Sequence, residues 1–296
     1  MTAVQPPERG SGPDSLPGAG VEPARPADAA TGPAVRSVDV TAGGEPARSV
    51  HAAAGGDPAR RAEIAANLAD VRARIAAACQ RAGRDPAELT MVAVSKTFPA
   101  SDVLHLVALG VEDVGENRDQ EAAPKAAEVA AAGARPRWHF IGRLQRNKCR
   151  SVVEYADLVH SVDSQRLAQT LGRLAGEHRG RPLSVLVQCS LDGDTARGGA
   201  AVDADDPEYD LFQVAEVVAG QPALRLAGLM AVAPVDWPAG AAFARLAGVA
   251  ERLRAEYPHA VILSAGMSGD LEEAVEHGAT HLRIGAALLG SRPPLR

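Results

Sequence analysis

Aromatic side chains are scarce in this chain of 296 residues, because Phe, Trp and Tyr together make up only 3%. A large core must therefore be built from aliphatic side chains, and a hydrophobic content of 46% is enough to build one. Cysteine is also rare, with Cys79, Cys149 and Cys189 scattered along the chain. This odd, scattered set fits neither a disulfide framework nor a metal site. We therefore expect a reducing compartment and a cytoplasmic protein.

Long apolar runs and an excess of positive charge are missing as well. No run of about eighteen apolar residues occurs, so the sequence predicts no membrane span. The net charge of −6 argues against nucleic acid as the main partner. The His, Cys and carboxylate residues show no metal-ligand spacing, and we expect no metal.

The first part of the chain differs from the rest. Residues 1–57 are rich in Pro, Gly and Ala and show no apolar periodicity, so they cannot bury enough surface to offset the entropy of ordering. They lack the apolar centre of a secretory signal, and their several acidic residues do not fit a transit peptide. We interpret residues 1–57 as a disordered leader and residues 58–296 as one folded domain.

Apolar periodicity begins after Pro58. Ile64, Leu68 and Val71 recur at helical spacing, and Gly83 ends that leading helix. Eight predicted strands follow, and each precedes a helix. The strands are predicted at Leu89–Ser95, Val111–Val114, Trp138–Ile141, Leu158–Ser161, Leu183–Cys189, Leu224–Met230, Val261–Ser264 and His281–Ile284.

This alternation predicts an α/β protein with a parallel sheet. Eight units in about 240 residues match a single closed (β/α)8 TIM barrel, which typically takes about 250 residues. An open doubly wound sheet is the alternative. The turn after the first strand, Lys96-Thr97-Phe98-Pro99, lacks the Gly-rich dinucleotide motif that such a sheet usually carries.

Lys96 follows the first predicted strand, and active sites of barrels lie at the carboxyl ends of the strands. A lysine held there loses part of its hydration, which lowers its pKa and frees the amine to attack an aldehyde. A lone lysine at a strand end is more often simply solvated. The reactive interpretation therefore depends on the other strand ends.

The last two strand ends indicate a phosphate site. The seventh strand runs into a loop with Gly266 and Ser268, and the eighth is followed by Gly285. Barrels often bind phosphate with these two loops, because glycine lets backbone amides approach the anion. Alternation along the eighth strand points Arg283 into the barrel mouth and Leu282 and Ile284 toward the helices. An internal salt bridge is the alternative role for Arg283.

Together these features resemble the pyridoxal phosphate homeostasis proteins, whose barrel is similar to the N-terminal domain of alanine racemase. The resemblance spans about residues 60–292. It rests on the order and spacing of several short motifs: Ala93-Val94-Ser95-Lys96-Thr97, Gly115-Glu116-Asn117, Trp138-His139-Phe140-Ile141-Gly142, Leu144-Gln145, Asn147-Lys148, Gly228-Leu229-Met230-Ala231, Gly266-Met267-Ser268 and Arg283-Ile284-Gly285.

The resemblance implies that Lys96 carries pyridoxal 5′-phosphate as a Schiff base. It further implies that Ser268, Gly285 and Ala286 hold the phosphate, that Arg283 faces the pyridine nitrogen and that Asn117 lines the edge of the cofactor. Five further residues complete the candidate cofactor-binding set. These are His139, Met230, Ser264, Gly266 and Met267.

The function implied is holding and delivering pyridoxal phosphate within the cell without robust catalysis. The expected partners are the cofactor itself and the apo forms of enzymes that use it, and we expect a monomer. The chain departs from the family pattern at two places. Many members have Thr where this chain has Ala286, and Arg197 stands where a lysine often precedes a Ser-Gly pair, so no Schiff base can form there.

Two enzymatic alternatives remain open from the sequence. A racemase or decarboxylase would use the same cofactor, but a racemase needs two opposing bases, and alanine racemase takes one of them from a second domain. A Schiff-base aldolase acting on a phosphosugar would share Lys96 and the phosphate loops but would use no cofactor. The presence or absence of bound pyridoxal phosphate separates these alternatives.

Overall fold

A computed structural model describes residues 57–290, with the exception of the side chain of Arg197. The predicted leader therefore lies outside the described residues, except for Asp57 at its end. Residues 291–296 lie outside them as well.

Eight parallel strands form one closed barrel in the order β1 to β8, as the sequence predicted. Hydrogen bonds between β1 and β8 close it, with Thr90 opposite His281 and Val92 opposite Arg283. The strands are β1 (Thr90–Val94), β2 (Asp113–Glu116), β3 (Arg137–Phe140), β4 (Leu158–Val162), β5 (Leu183–Gln188), β6 (Leu224–Met230), β7 (Ile262–Ser264) and β8 (His281–Ile284).

Nine α-helices accompany these strands within residues 57–290. They are α1 (Pro58–Ala82), α2 (Ala100–Ala108), α3 (Asp119–Ala131), α4 (Cys149–Tyr155), α5 (Gln165–His178), α6 (Leu211–Ala219), α7 (Ala239–Glu256), α8 (Leu271–Glu276) and α9 (Ala286–Leu289). The leading helix α1 begins where the Asp57 carboxylate accepts the N–H of Ala59 at 2.9 Å. It ends at Gly83, which has the left-handed φ of +65° that glycine adopts without strain.

Most element ends lie within a residue or two of the predicted ones, and two differences have clear physical causes. β2 was predicted from Val111, but the N–H of Val111 donates to Leu106 O at 3.0 Å and closes α2, so the strand begins at Asp113. The pattern after the fifth strand predicts a helix near Pro207–Ala219, but α6 begins only at Leu211. The Asp210 carboxylate accepts the N–H groups of Phe212 and Gln213 there and so caps the first turn of α6.

The main core lies between the outer face of the barrel and the helices. Leu282 and Ile284 are fully buried in it, whereas Arg283 between them points inward, as alternation along β8 predicted. A smaller apolar cluster, formed by Leu158, Leu186, Ala227 and Met230, fills part of the barrel interior. Polar side chains occupy the rest of the interior and connect to the site described below.

Two negative findings apply to residues 57–290. No helix in this part of the chain is long and apolar enough to cross a membrane. No group of three His, Cys, Asp or Glu side chains there is arranged to hold a metal ion.

Candidate functional site

A cavity of about 290 Å³ opens at the carboxyl ends of β1, β7 and β8. Six of the sequence-predicted site residues line it, and they come from three separate stretches of the chain. These are Lys96, Met267, Ser268, Arg283, Gly285 and Ala286. The remaining lining residues, Val94, Phe98, Ile141, Gly269 and Gly290, are apolar or glycine. We call this space the Lys96 cavity.

The turn that carries Lys96 is strained at the next residue. Thr97 has a φ of +71°, a left-handed conformation that is unfavourable for a β-branched side chain. The turn is closed by the N–H of Phe98, which donates to Ser95 O at 3.0 Å, and the N–H of Thr97 donates to the Glu121 carboxylate at 3.3 Å. Because strain of this kind concentrates at functional sites, it marks the Lys96 turn independently of the sequence motif.

A buried ion pair fixes the strand end just before Lys96. Lys125 Nζ donates to the carbonyl oxygen of Ser95 at 2.9 Å and to Glu116 Oε1 at 2.5 Å. The Ser95 hydroxyl donates to the same carboxylate oxygen at 2.7 Å. Glu116, the last residue of β2, is fully buried together with these partners. Its role here is to anchor the backbone that leads into Lys96.

The loop after β7 requires a glycine. Gly266 has a φ of +87°, and a Cβ atom added there would lie 2.5 Å from the Cβ of Ala274. Only glycine fits this conformation and this close packing. Gly266 therefore shapes the loop beneath the cavity rather than lining it, while its neighbour Met267 is partly exposed and borders the cavity.

The loops after β7 and β8 are joined to each other and to α1. The N–H of Ala287 donates to the Ser268 hydroxyl at 3.3 Å, which links the two loops directly. From α1, Arg74 donates to Ser268 O at 3.1 Å and forms two hydrogen bonds of 2.9 Å with the Glu272 carboxylate. The bond from Arg74 lowers the pKa of Glu272, so the pair stays ionised at neutral pH. Sequence reasoning gave no sign of this role for Arg74.

Arg283 is a buried cation whose observed partners are neutral. It donates to the Ser264 hydroxyl at 2.7 Å and to the carbonyl oxygen of Ala231 at 2.8 Å. No carboxylate within residues 57–290 lies at salt-bridge distance from it, so the internal salt bridge considered from the sequence is absent in this part of the chain. Burial lowers the pKa of the guanidinium to about 10, which still leaves it charged at neutral pH. The Lys96 cavity is thus lined by a cation that can bind an anionic or electron-rich ligand.

Asn117 lies outside this cavity. It lines a larger cleft of about 820 Å³ over the carboxyl ends of β2, β3 and β4. Side chains of both positive and negative charge line that cleft. Arg143, Arg146 and Lys148 border it on one side, and Arg143 and Arg146 are exposed.

The other three candidates lie inside the barrel. Met230 packs in the small apolar cluster of the interior. Ser264 is fully buried beneath Arg283 and contacts it directly. His139 is buried near the starts of the strands, where it borders a different cavity of about 430 Å³. Ser264 therefore touches the Lys96 cavity only through Arg283, and His139 does not reach it.

Comparison with known proteins gives a consistent result. Residues 66–293 match the family model of the alanine racemase N-terminal domain. The chain is 47% identical over 238 residues to the pyridoxal phosphate homeostasis protein of Mycobacterium tuberculosis, covering 76% of this chain and 91% of the relative. It is 40% identical over 233 residues to the protein of the same name from Escherichia coli, covering 77% and 97%.

A solved structure supports the same grouping. PipY of Synechococcus elongatus, determined with PLP bound, is 36% identical with a TM-score of 0.64. The match covers 77% of this chain and 100% of PipY. Both the sequence relatives and this fold therefore agree with the resemblance drawn from the motifs.

Proposed function

Because the chain belongs to the pyridoxal phosphate homeostasis protein family, we propose that it binds pyridoxal 5′-phosphate in the Lys96 cavity and serves the homeostasis of that cofactor. In this role it holds the cofactor and hands it over to other proteins, without robust turnover of its own. One observation carries the proposal. A lysine amine and a buried guanidinium, the latter without a carboxylate partner in residues 57–290, line the same small cavity.

The cavity residues fit the chemical groups of this cofactor. The bound cofactor supplies an aldehyde that condenses with a lysine amine, and Lys96 is the one lysine among the described residues that line the cavity. The Ser268 hydroxyl and the backbone of Gly285 and Ala286 suit a phosphate group, because glycine-rich backbone and hydroxyls donate to anions. The remaining lining side chains offer apolar surface to the ring.

Arg283 supports holding the cofactor rather than using it in catalysis. A guanidinium that stays protonated has only donors to offer, so a ring nitrogen facing it must accept a hydrogen bond and remain unprotonated. An unprotonated pyridine withdraws electrons weakly, which limits carbanion chemistry. Arg283 thus binds the ring without activating it.

The cavity also lacks a second acid or base. Apart from Lys96 and Arg283, the described residues that line it carry no side chain that titrates. A racemase needs two bases on opposite faces of its substrate, and these residues supply one amine. Exchange of an aldehyde between amines needs no such pair, and this exchange is what delivery of the cofactor requires.

The first experiment identifies the lysine. We expect borohydride reduction of the protein loaded with pyridoxal phosphate, followed by peptide mapping, to place the pyridoxyl group on Lys96. Lys96→Ala should lose the visible absorption and keep its circular dichroism, because Lys96 is only partly buried and packs in no core cluster. Lys148→Ala, a change in the neighbouring cleft, is the matched control and should keep the absorption. An adduct on Lys125 or Lys148 would contradict the assignment.

The second experiment separates a carrier from an enzyme. The loaded protein is incubated with each common amino acid, and racemised, deaminated or decarboxylated product is measured. It is then mixed with an apo enzyme that needs pyridoxal phosphate, and recovery of that enzyme's activity is followed. We expect recovery without substantial turnover. Robust turnover would favour the racemase-like alternative. Borohydride trapping of a phosphosugar by a protein that binds no cofactor would favour the aldolase.

A further inference from the structure

A continuous chain of hydrogen-bonded side chains runs through the barrel interior beneath Arg283. Asp113 Oδ1 lies 2.8 Å from His139 Nε2, and His139 Nδ1 lies 2.9 Å from His160 Nε2. His160 Nδ1 lies 2.9 Å from the Ser264 hydroxyl, which is 2.7 Å from Arg283. We call Asp113, His139, His160 and Ser264 the axial chain. It links the starts of the strands to the Lys96 cavity.

The axial chain is buried along its length, and its Asp113 end opens at the starts of the strands. His160 and Ser264 are fully buried, and His139 is 3% exposed. Asp113 and His139 border the cavity of about 430 Å³ at the strand starts. The other titratable or charged groups that face this interior are Arg137 on β3, Asp157 before β4, Arg181 before β5, Arg225 on β6, and His281 and Arg283 on β8.

The protonation of the axial chain follows from its two ends. Burial raises the pKa of Asp113, but hydrogen bonds from Arg137 and His139 outweigh that effect and hold it well below its ordinary value. An ionised carboxylate only accepts, so His139 Nε2 carries a proton and donates to it. Burial lowers the pKa of His160 well below its ordinary value and keeps that ring neutral. Neutral imidazole has one donor and one acceptor, so the partner of the Ser264 hydroxyl decides which nitrogen of His160 accepts.

Arg283 can only donate, so the Ser264 hydroxyl proton has one acceptor among the described residues, His160 Nδ1, and every link then points the same way. His139 Nδ1 accepts from His160 Nε2–H, His160 Nδ1 accepts from the Ser264 hydroxyl, and Ser264 accepts from Arg283. In each of these hydrogen bonds the lone pair of the acceptor therefore faces Arg283, and the donated proton faces Asp113. Aligned hydrogen bonds polarise one another in a low-dielectric interior, so their negative ends stabilise a nearby cation.

We propose that His139 and His160 are positioning residues which, through Ser264, hold Arg283 charged and oriented toward the Lys96 cavity, and so control how tightly the cofactor ring is bound. This inference rests on the proposed function for its ligand. Protonation of the imidazole pair reverses the chain, because His139 then donates from both nitrogens and His160 must donate to Ser264. Ser264 then accepts from two donors and its own hydroxyl proton loses its acceptor, so the aligned bonds no longer stabilise the charge on Arg283.

The neighbouring His281 provides a matched control. Its ring centroid lies 6.1 Å from that of His139 and 6.5 Å from that of His160, so it belongs to the same group of imidazoles. Its Nδ1, however, contacts the Thr280 hydroxyl at 3.0 Å and takes no part in the axial chain. His281→Gln thus removes an interior imidazole without interrupting the links to Arg283.

The test uses pyridoxine 5′-phosphate as the probe, because it has the ring and the phosphate but no aldehyde for Lys96 to attack. We expect His160→Phe and Ser264→Ala to weaken its binding about tenfold, since hydrogen bonds to a charged group are lost or weakened. Ser264→Thr keeps the hydroxyl and should restore most of the affinity. His281→Gln should bind like the unaltered protein. Equal affinities of His160→Phe and the unaltered protein would overturn the proposal, as would equal losses in His160→Phe and His281→Gln.

The pH profile and the histidine tautomers give readouts that a purely structural role would not move. Affinity for the probe should fall at low pH once the imidazole pair takes up a proton, and it should fall less in His160→Phe. Nitrogen-15 NMR of histidine-labelled protein without ligand should show His139 and His160 as the Nε2–H tautomer. A proton on His160 Nδ1 at neutral pH would overturn the assignment. If the unaltered protein fails to capture pyridoxal phosphate, the proposed function fails, while the tautomers still test the axial chain.

Discussion

Thr97 holds a left-handed backbone conformation next to the lysine on which the site depends. Its hydroxyl is also buried without a hydrogen-bond partner among the described residues. A strained backbone and an unsatisfied hydroxyl each cost about 1–3 kcal/mol. The surrounding contacts to Glu121 and Ser95 must therefore outweigh both costs to keep Lys96 aimed at the cavity.

We predict that Thr97→Gly stabilises the folded protein by about 1 kcal/mol, because glycine adopts this φ freely and removes the buried hydroxyl. The same change should slow covalent capture of pyridoxal phosphate, because the turn becomes less rigid. Denaturant unfolding and the rate at which the visible absorption appears measure the two effects. Thr97→Ser keeps the hydroxyl and removes the β-branch, so its stability should lie between those of the original protein and the glycine variant. A glycine variant less stable than the original would contradict the strain argument.

Among individual residues, the sequence predicted those whose place at the cavity follows from alternation along a strand or from position in a loop. Lys96, Ser268 and Arg283 lie on the cavity as expected, because counting along a strand tells which side each residue faces. Thr97 and Glu116 were beyond that method. The φ of Thr97 has no signature in its residue type, and the partner of Glu116 is Lys125 on the next helix, which only the packed structure brings within 2.5 Å.

Among the elements, helix α1 has a role that its amphipathic pattern does not reveal. Its side chains donate to backbone carbonyls of the loops and helices that follow β7 and β8. Arg60 contacts Leu289 O at 2.8 Å, Asn67 contacts Leu288 O at 3.1 Å, and Arg74 contacts Ser268 O at 3.1 Å. The helix therefore holds one side of the candidate phosphate site in place.

We predict that Arg74→Ala weakens binding of pyridoxal phosphate several-fold while the fold is kept. The loss of its bonds to Ser268 and Glu272 lets the loop after β7 move, and the phosphate contacts become less favourable. Equilibrium titration followed by absorbance measures the effect. Arg72→Ala, an exposed change on the same helix, is the control and should bind normally. Equal affinities of the two variants would show that α1 does not support the site.

The order of strands and helices could be predicted because each strand is a short aliphatic run and each helix is periodic. Element boundaries were harder where hydrogen bonds decide them. Val111 looks like a strand residue but closes α2, and Asp210 delays the start of α6 by capping it. Such choices depend on a neighbouring backbone, which the local sequence does not specify.

For the whole molecule, the buried imidazoles predict how stability changes with pH. Burial lowers the pKa of His281 to about 4 and that of His160 well below its ordinary value. In the unfolded chain both titrate near about 6.5, so below that pH the unfolded state binds more protons. The free energy of unfolding should therefore fall as the pH drops from about 6.5 toward about 4. Each ring contributes up to about 1.4 kcal/mol per pH unit to this fall.

Urea denaturation at several pH values measures this slope. His281→Gln should reduce it, because one ring that is neutral only in the folded state is removed. Asp113 adds a further loss at still lower pH, since its folded pKa lies below the unfolded one. A stability that stays flat between about pH 7 and about pH 5 would contradict the burial of these rings.

We further predict that residues 1–56 are dispensable for folding and for cofactor binding, on the basis of their composition. A shortened chain should begin at Asp57, because its carboxylate caps α1. Its thermal midpoint should equal that of the full chain. Asp57→Ala in the shortened chain should cost about 1 kcal/mol as the loss of a helix cap. A large drop in the midpoint on removing 1–56 alone would refute the prediction.

The pairing of β1 with β8 has a consequence for protein synthesis. Lys96 lies next to the first strand, whereas Ser268, Arg283 and Gly285 follow the seventh strand or belong to the eighth and its exit. A chain still emerging from the ribosome has its lysine early but no cavity, because the opposite wall is translated last. The cofactor should therefore not be captured by incomplete chains, and ribosome-bound chains that lack β8 should stay colourless.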